Sequence, residues 1–380
     1  MSIHEDIHVA AEDLFAALAA NPERRMDVAE EAVMRGELRR YPVCYIGRVT
    51  DIKAGEHLRP YVPESPDPEE RLLGTLRGMS WPLRMLNPIG RRIGLGKGTG
   101  TLAASFGIPL DPALGYTPRG NRSLDDLLAE GMPDPEASGL LPQIREDIET
   151  IQRHTPDWVQ IGLPDMQGPF NIAHMLLGEE VFIAPNEEPA KFASLMALIT
   201  DFFIAVHGNL CRWIDPARLP AFPIIINRIA ECSVNLISQE FYHEHVLPHD
   251  QRIAAYYGQV AVHPCSGPHV FYATLSNLPC VCYQEAGYIE KTCAGAISVT
   301  DALNALDGRP IILSIGEELP LGNEEEVIRA HFKLALRHPR LLFGYTGMYW
   351  TRDDEALMRN LHLRLDEYWE AQIWNAAHPC

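Results

Sequence analysis

Trp158-Val159-Gln160-Ile161-Gly162-Leu163-Pro164-Asp165 is a short β-type run that stops at Pro-Asp, and Pro169–Leu177 then reads as a helix. Across that junction the apolar period changes from about two to about 3.6, which is how a strand feeding a helix looks in sequence. The alternation repeats outward. Pro189–Trp213 is a long apolar helix, 222–229 a β-branched run and 239–257 a helical stretch, and Val260-Ala261-Val262 is a short strand running into His263-Pro264-Cys265. Residues 279–284, 310–315 and 341–345 read as strands, separated by helical patterns at 299–306 and 324–338. Short strands alternating with helices, with Gly or Pro at the junctions, predict a parallel sheet. With seven or eight strands and no N-terminal Gly-x-Gly-x-x-Gly turn, a closed (β/α)₈ TIM barrel is favoured over a doubly wound sheet.

Upstream of this region, Val9, Leu14, Phe15 and Leu18, then Met26, Val28, Ala29, Val33 and Met34, recur at helical spacing until Pro42 ends the pattern. Residues 41–49 read as a strand. Residues 60–141 are rich in proline and glycine with weak periodicity, a loop-rich insertion. The expected organisation is therefore one α/β TIM barrel over 41–380, with a helical extension over 1–40 and the insertion at 60–141. The extension would serve as a dimer contact, giving a homodimer, or as a cover for the barrel.

The 380 residues, 46% hydrophobic and 22% charged, have ordinary globular composition and suit one elaborated barrel or two smaller domains. Fifty-one acidic against 32 basic residues give a net charge of −19 and a pI near 5.2, which argues against nucleic acid and anionic membranes as partners. The charge is uneven. No acid lies between Glu70 and Asp111, while Arg71, Arg77, Arg84, Arg91, Arg92 and Lys97 do. This run is either a basic face pairing with acids elsewhere in the chain or a grip on anionic groups, with Arg84, Arg91 and Arg92 the candidates for holding a cofactor. The acidic start, and the lack of an unbroken apolar run of 18 residues, lead to a cytoplasmic expectation. The eight dispersed cysteines then read as reduced thiols, mostly core.

In a TIM barrel the chemistry sits at the C-terminal strand ends. That rule gathers Asp165, Asn227 with Glu231, His263 with Cys265, Glu285 and Tyr345. Alternate residues of an extended segment face the same way, so His263 and Cys265 are placed to chelate one borderline cation, with Glu285 adding an oxygen ligand. Zinc accepts this nitrogen, sulfur and oxygen set. Asp165 is a general base, an acceptor for a substrate N–H, or the cap of the following helix; His174 is a proton donor or a core residue. His243, His245 and His249 lack the His-Glu-x-x-His pattern and read as a solvated helix end broken by Pro248. The run Gly94-Leu95-Gly96-Lys97-Gly98-Thr99-Gly100 lacks both the Ser/Thr of a phosphate loop and a preceding strand, and reads as a flexible lid.

From Leu141 to Met348 the chain resembles the uroporphyrinogen decarboxylase-like superfamily of TIM barrels. The resemblance rests on Asp165-Met166-Gln167-Gly168-Pro169-Phe170-Asn171-Ile172-Ala173 with Leu176-Leu177-Gly178, on Leu236-Ile237-Ser238 with the stretch from Phe241 to Pro248, and on His263-Pro264-Cys265-Ser266-Gly267. The Arg-Gln-Ala-Gly-Arg signature of the decarboxylases proper is missing. The methylcobamide-dependent methyltransferases and cobalamin-independent methionine synthase carry His-x-Cys with a later Cys, and the synthase a Glu between. His263, Cys265 and Glu285 match in order, but Gly344-Tyr345-Thr346-Gly347 stands where the late Cys would fall. The resemblance implies a corrinoid-linked methyltransferase with zinc at the barrel mouth. A free cobamide or a corrinoid protein would be its partner, beside a small-molecule methyl donor or acceptor, with Asp165, His174 and Tyr345 as catalytic residues. Two alternatives stand beside it: a metal-independent decarboxylase using Asp165, and a non-catalytic corrinoid- or tetrapyrrole-binding barrel.

Overall fold

The computed structural model describes residues 2–49, 65–110, 120–264, 268–285, 299–315, 324–350 and 354–378. In chain order it runs α1 (Ile3–Ala20), α2 (Met26–Arg35), β1 (Cys44–Val49), α3 (Pro68–Arg84), β2 (Arg92–Gly94), α4 (Leu124–Glu130), α5 (Leu141–His154), β3 (Gln160–Gly162), α6 (Pro169–Leu177), α7 (Ala184–Glu187) and α8 (Pro189–Trp213). It continues with α9 (Pro223–Ile226), β4 (Arg228–Ala230), α10 (Gln239–Phe241), α11 (Leu247–Tyr257), β5 (Val260–His263), α12 (Pro268–Asn277) and β6 (Cys280–Glu285). Last come α13 (Val299–Ala305), β7 (Ile311–Ile315), α14 (Glu324–Phe332), β8 (Leu341–Trp350), α15 (Glu355–Trp369) and α16 (Asn375–Ala377). The protein is a helix-rich α/β protein with parallel strand pairing, and its chain divides into two compact units. The expected closed ring of strands is not traced among the described residues.

The first unit holds Met1–Arg92 and most of the chain after Tyr283. Its strands lie in the order β1-β8-β7-β6, with Ile46 opposite Tyr345, Ile311 opposite Leu341 and Tyr283 opposite Ile311. Leu341, Leu342, Phe343 and Tyr345 are all buried, as expected of a parallel strand covered on both faces. Helix α1 starts with a capping box, Ser2 Oγ accepting from the Glu5 amide and Glu5 accepting from the Ser2 amide. Helix α2 ends on Gly36 in the left-handed conformation. The expected loop at 60–141 is partly wrong. Asp67 caps α3 and Pro68 opens it, while Gly74, Gly78 and Pro82 dilute a helical stripe that still buries Leu72, Leu73 and Leu76.

Arg39 ties three distant segments of this unit together. Its buried guanidinium donates to the carbonyls of Pro42 and Leu341, and its own carbonyl accepts from the Trp369 indole at 3.0 Å. No carboxylate pairs with it among the described residues, and burial lowers its pKa to about 10. Nearby, Asn87 bridges the Ile46 amide and carbonyl with its side chain and accepts from His362 Nε2 at 3.1 Å.

The second unit, Ile93–Cys282 with a short later piece, pairs β4 with β5 and β2 with β3. Ala230 lies opposite His263, and Gln167, just past β3, bridges to Ala230. The run at 222–229 was expected to be strand throughout. Instead Pro223 opens the single turn α9, closed by the Asn227 amide on the Pro223 carbonyl at 2.8 Å, and only three residues remain for β4. A π-turn over Tyr242–Val246 leads into α11, so Pro248 falls in a first turn, where its missing N–H costs nothing, and does not break the helix. The expected solvated helix end is only half right: His243 is exposed, but His249 is half-buried with Nδ1 at 2.9 Å from Thr200 Oγ1.

Helix α8 is long and apolar enough, by length and composition, to cross a bilayer. In this structure its Phe192, Leu195, Ile199, Phe202, Phe203 and Val206 are buried in protein. The glycine run is not the expected lid. β2 precedes it, and Lys97 is buried in an ion pair with Asp147 at 2.9 Å.

Burial lowers the pKa of His362 from 6.5 to about 3, so the folded protein keeps the ring neutral while the unfolded chain protonates it. Stability is therefore fully present above pH 6.5 and falls as the pH drops toward 3, by up to about 1.4 kcal/mol per unit. His362→Gln, which keeps a donor toward Asn87, is expected to flatten that acid slope, and urea midpoints measured between pH 4 and 7 on both proteins check this.

Candidate functional site

Beyond the end of β3, Asp165 carries a partly exposed carboxylate that pairs with Arg228 of β4 and accepts from Gln167 Nε2 at 2.9 Å. Arg228, Ala230 and, by register, His263 lie on one face of the β4–β5 pair, because alternate residues of a strand share a face and parallel partners point the same way. The partnership of Asp165 is thus set by strand parity at Arg228.

A buried amide relay continues from this ion pair. Asn171 Nδ2 donates to Gln167 Oε1 and to the Ala230 carbonyl, while Asn171 Oδ1 accepts from the Ser233 amide at 2.6 Å. Ser233 Oγ lies 2.9 Å from His174 Nδ1, whose ring meets Phe182 edge to face. Gln167 and Asn171 are 2% and 1% exposed, so every one of these polar groups needs the partner it has. His174 and Asp165 therefore sit at two ends of one hydrogen-bonded chain. The capping role considered for Asp165 falls instead to Gly168, the N-cap residue of α6.

Beneath the relay lies Glu231, the residue after β4. Its amide donates to the His263 carbonyl at 2.8 Å, and its carboxyl faces the amides of Phe170 and Asn171 at the start of α6. A β-carbon on Gly168 would lie only 2.0 Å from Glu231 Oε1, so the glycine is there to admit the carboxyl. Burial pushes the Glu231 pKa well above the carboxylate range, with Asp250 adding to the rise, and the α6 amides do not offset it. Asp250, also raised by burial, accepts from the Tyr242 hydroxyl at 2.8 Å. Two buried carboxyls, both held above the usual carboxylate range, thus underlie the first turn of α6.

His263 is the last residue of β5 and is 9% exposed. Cys265 lies outside the described residues; Glu285 ends β6 opposite Leu313, and its side chain is likewise outside them. Three other expected site residues have structural duties in the first unit. Tyr345 is fully buried with its hydroxyl 3.2 Å from His331 Nδ1 of α14, and burial raises its pKa far above the usual phenol value. Arg92 makes a fork on both oxygens of Glu30 at 2.8 Å, and Arg91 faces Asp27 at 3.3 Å. Carboxylates of α2 thus occupy the arginines that were expected to hold anionic cofactor groups. Arg84 is exposed at the end of α3.

Sequence reasoning missed Arg228, Gln167, Asn171 and Asp250. The first had a usable signal, an arginine two residues before the strand end marked by Ala230. The others had none: the Asn171 side chain bonds to groups about sixty residues away, Asp250 meets the Tyr242 hydroxyl, and Gln167 joins the relay only through Asn171.

No family model matches the sequence, and no curated protein sequence matches it. Among solved structures the chain is similar to a methyltransferase from Methanosarcina mazei, with 15% identity, a TM-score of 0.60, and coverage of 91% of this chain and 99% of that one. At that identity the likeness is one of fold.

Gly168→Ala places a methyl group against a buried carboxyl that has nowhere to go. It is expected to destabilise the protein by about 1–3 kcal/mol, and Glu231→Ser in the same chain to restore part of the loss, as read from urea midpoints of the single and double variants.

Proposed function

We propose that the protein is a methyltransferase built on a (β/α)₈ barrel of the uroporphyrinogen decarboxylase-like superfamily. A free or protein-borne cobamide would be one methyl partner and a small molecule the other. The observation that carries the reading is the placement of His263. It ends β5 on the same face as Arg228, directly opposite Ala230, where the relay from Asp165 is anchored. The fold shared with a methyltransferase from Methanosarcina mazei supports the same reading.

The donors of the metal site would be the His263 imidazole, the Cys265 thiolate and the Glu285 carboxylate. This nitrogen, sulfur and oxygen set suits zinc, which when bound holds a substrate thiol in its nucleophilic thiolate form. The chain's own residues do the rest. Arg228 and Gln167 fix the Asp165 carboxylate in one orientation, ready to accept a hydrogen bond or a proton from the substrate. His174, held by Ser233, is the second group able to move a proton. The Glu231 carboxyl, held protonated by burial, keeps its charge out of the base of the site and packs against the start of α6, the helix that carries Asn171 and His174.

Purified protein is expected to carry about one zinc per chain by elemental analysis, and His263→Ala and Cys265→Ala to lose most of it. A metal-free protein in which neither substitution alters methyl transfer from methylcobalamin to a thiol would remove this reading and leave the carboxy-lyase alternative. In the methyl-transfer assay Asp165→Asn is expected to lower kcat by about 10²-fold while zinc content stays unchanged, because Asp165 would act on the substrate and not on the metal.

A further inference from the structure

The chain carries its acid excess almost everywhere, yet one cavity of the first unit reverses it. At the N-terminal ends of β7 and β8, about 220 Å³ of space is lined by Arg35, Arg309, Arg337, His338 and Arg340, together with Gly36 and Gly308. No carboxylate lines it.

The cations there differ from those elsewhere in the unit in how they are satisfied. Arg91 and Arg92 meet carboxylates of α2, and Arg24 meets Asp366. Among the described residues Arg309, Arg337 and Arg340 meet none. Arg340 donates to the Met34 carbonyl at 2.8 Å, which leaves its charge uncompensated. Arg309 has a buried Nη1 with no acceptor among the described residues. A buried guanidinium N–H without an acceptor has lost its water and gained nothing in return, so it is an observation that asks for an anion. Only Arg35 has acid neighbours, Glu31 at 3.8 Å and Glu37 at 2.9 Å, on the outer side of the cluster, where its side chain is half exposed.

The backbone holds this arrangement in place. Gly36 and Gly308 both adopt left-handed φ angles of 74° and 73°, and Asp307 does so at 48° although it carries a β-carbon. A side chain at Gly36 would run into Arg340 Nε at 2.9 Å, so Gly36 lets the Arg340 guanidinium lie against the end of α2. Two tight turns therefore deliver arginines from three separate segments to one small space.

The geometry points to a binding site for the phosphate group of a small molecule, held by Arg309, Arg337 and Arg340 at the N-terminal ends of β7 and β8. Guanidinium forks match the oxygens of phosphate in pairs. The volume is below that of whole-ligand pockets, so it admits the phosphate head and leaves the remainder of an ester in solvent. His338 fits this role. Burial and the adjacent Arg337 hold its pKa below the usual imidazole value, and a dianion at this spot would draw it back up. The site is independent of the chemistry proposed above, because all of its residues belong to the first unit while His263 and Asp165 belong to the second.

The test is calorimetric titration of the full-length protein at constant ionic strength with inorganic phosphate, glycerol 3-phosphate and a nucleoside 5′-monophosphate in separate runs. Saturable binding of one equivalent at millimolar concentration or below is expected for at least one of them. Tightest binding of inorganic phosphate identifies the free ion as the ligand, and tighter binding of an ester identifies the esterified form. Arg337→Gln, at an exposed position that leaves the fold intact, and Arg309→Gln are each expected to weaken binding by about tenfold or more. Phosphate should also raise the NMR titration midpoint of His338 in the unmodified protein and not in Arg337→Gln. Absence of saturable binding up to 10 mM for all three probes, or equal affinity in both variants, overturns the assignment.

Discussion

A protonated carboxyl wedged beneath a helix start is the constraint on which the second unit turns. Glu231 leaves β4, donates a backbone hydrogen bond to β5 and faces the first amides of α6, with Gly168 bare of a side chain to let it in. A helix N-terminus ordinarily favours a charged acid, by about 0.3–1 kcal/mol at exposed sites and up to about 2 in part-buried ones. Full burial costs a carboxylate several kcal/mol, and here the second effect wins. The residue therefore acts as a neutral wedge packed against Gly168 at the start of α6. Since Gln167 and Asn171 both belong to that junction, the protonated Glu231 carboxyl indirectly holds the groups that lead away from Asp165.

The distribution of arginines follows a second rule. A chain of net −19 has carboxylates to spare, and most guanidinium groups in the first unit are bound to them. The acid-free stretch after Glu70 looked like a ligand-facing surface in one dimension. In three dimensions its Arg91 and Arg92 neutralise Asp27 and Glu30, both nearly buried in α2, and Lys97 neutralises Asp147 of α5. Local acid depletion along a sequence thus reported pairing with acids elsewhere. The cluster of Arg309, Arg337 and Arg340, which meets no acid among the described residues, lies far along the chain from that stretch.

The strand–helix alternation could be read from sequence because each element carries its own apolar period. Pro169–Leu177 and Pro189–Trp213 match helices α6 and α8 to the residue, since a proline opens each one and Gly178 follows α6. Helix α3 was hidden because two glycines and a proline interrupt a stripe that only burial of Leu72, Leu73 and Leu76 restores. Strand β4 was overestimated because a β-branched run says nothing about whether its first turn is wound by Pro223. At the site, Asp165 and His174 were legible from their places beside a strand end. The Gln167–Asn171–Ser233 relay was not, because amides and hydroxyls gain meaning only from partners that the fold supplies. Tyr345 shows the converse: its strand was read correctly, but alternation along β8 turns it toward His331.

Arg39 makes the first unit a closed loop in an energetic sense. One residue near the start of the chain holds the carbonyl at the head of β8 and accepts the indole of Trp369 at the end of α15, with its positive charge sealed inside. Nascent chain emerging from the ribosome carries that cation long before the segments that enclose it exist. Arg39 has its full enclosure only once Trp369 is in place, so the packing of the N-terminal forty residues depends on a segment some 330 residues further along the chain.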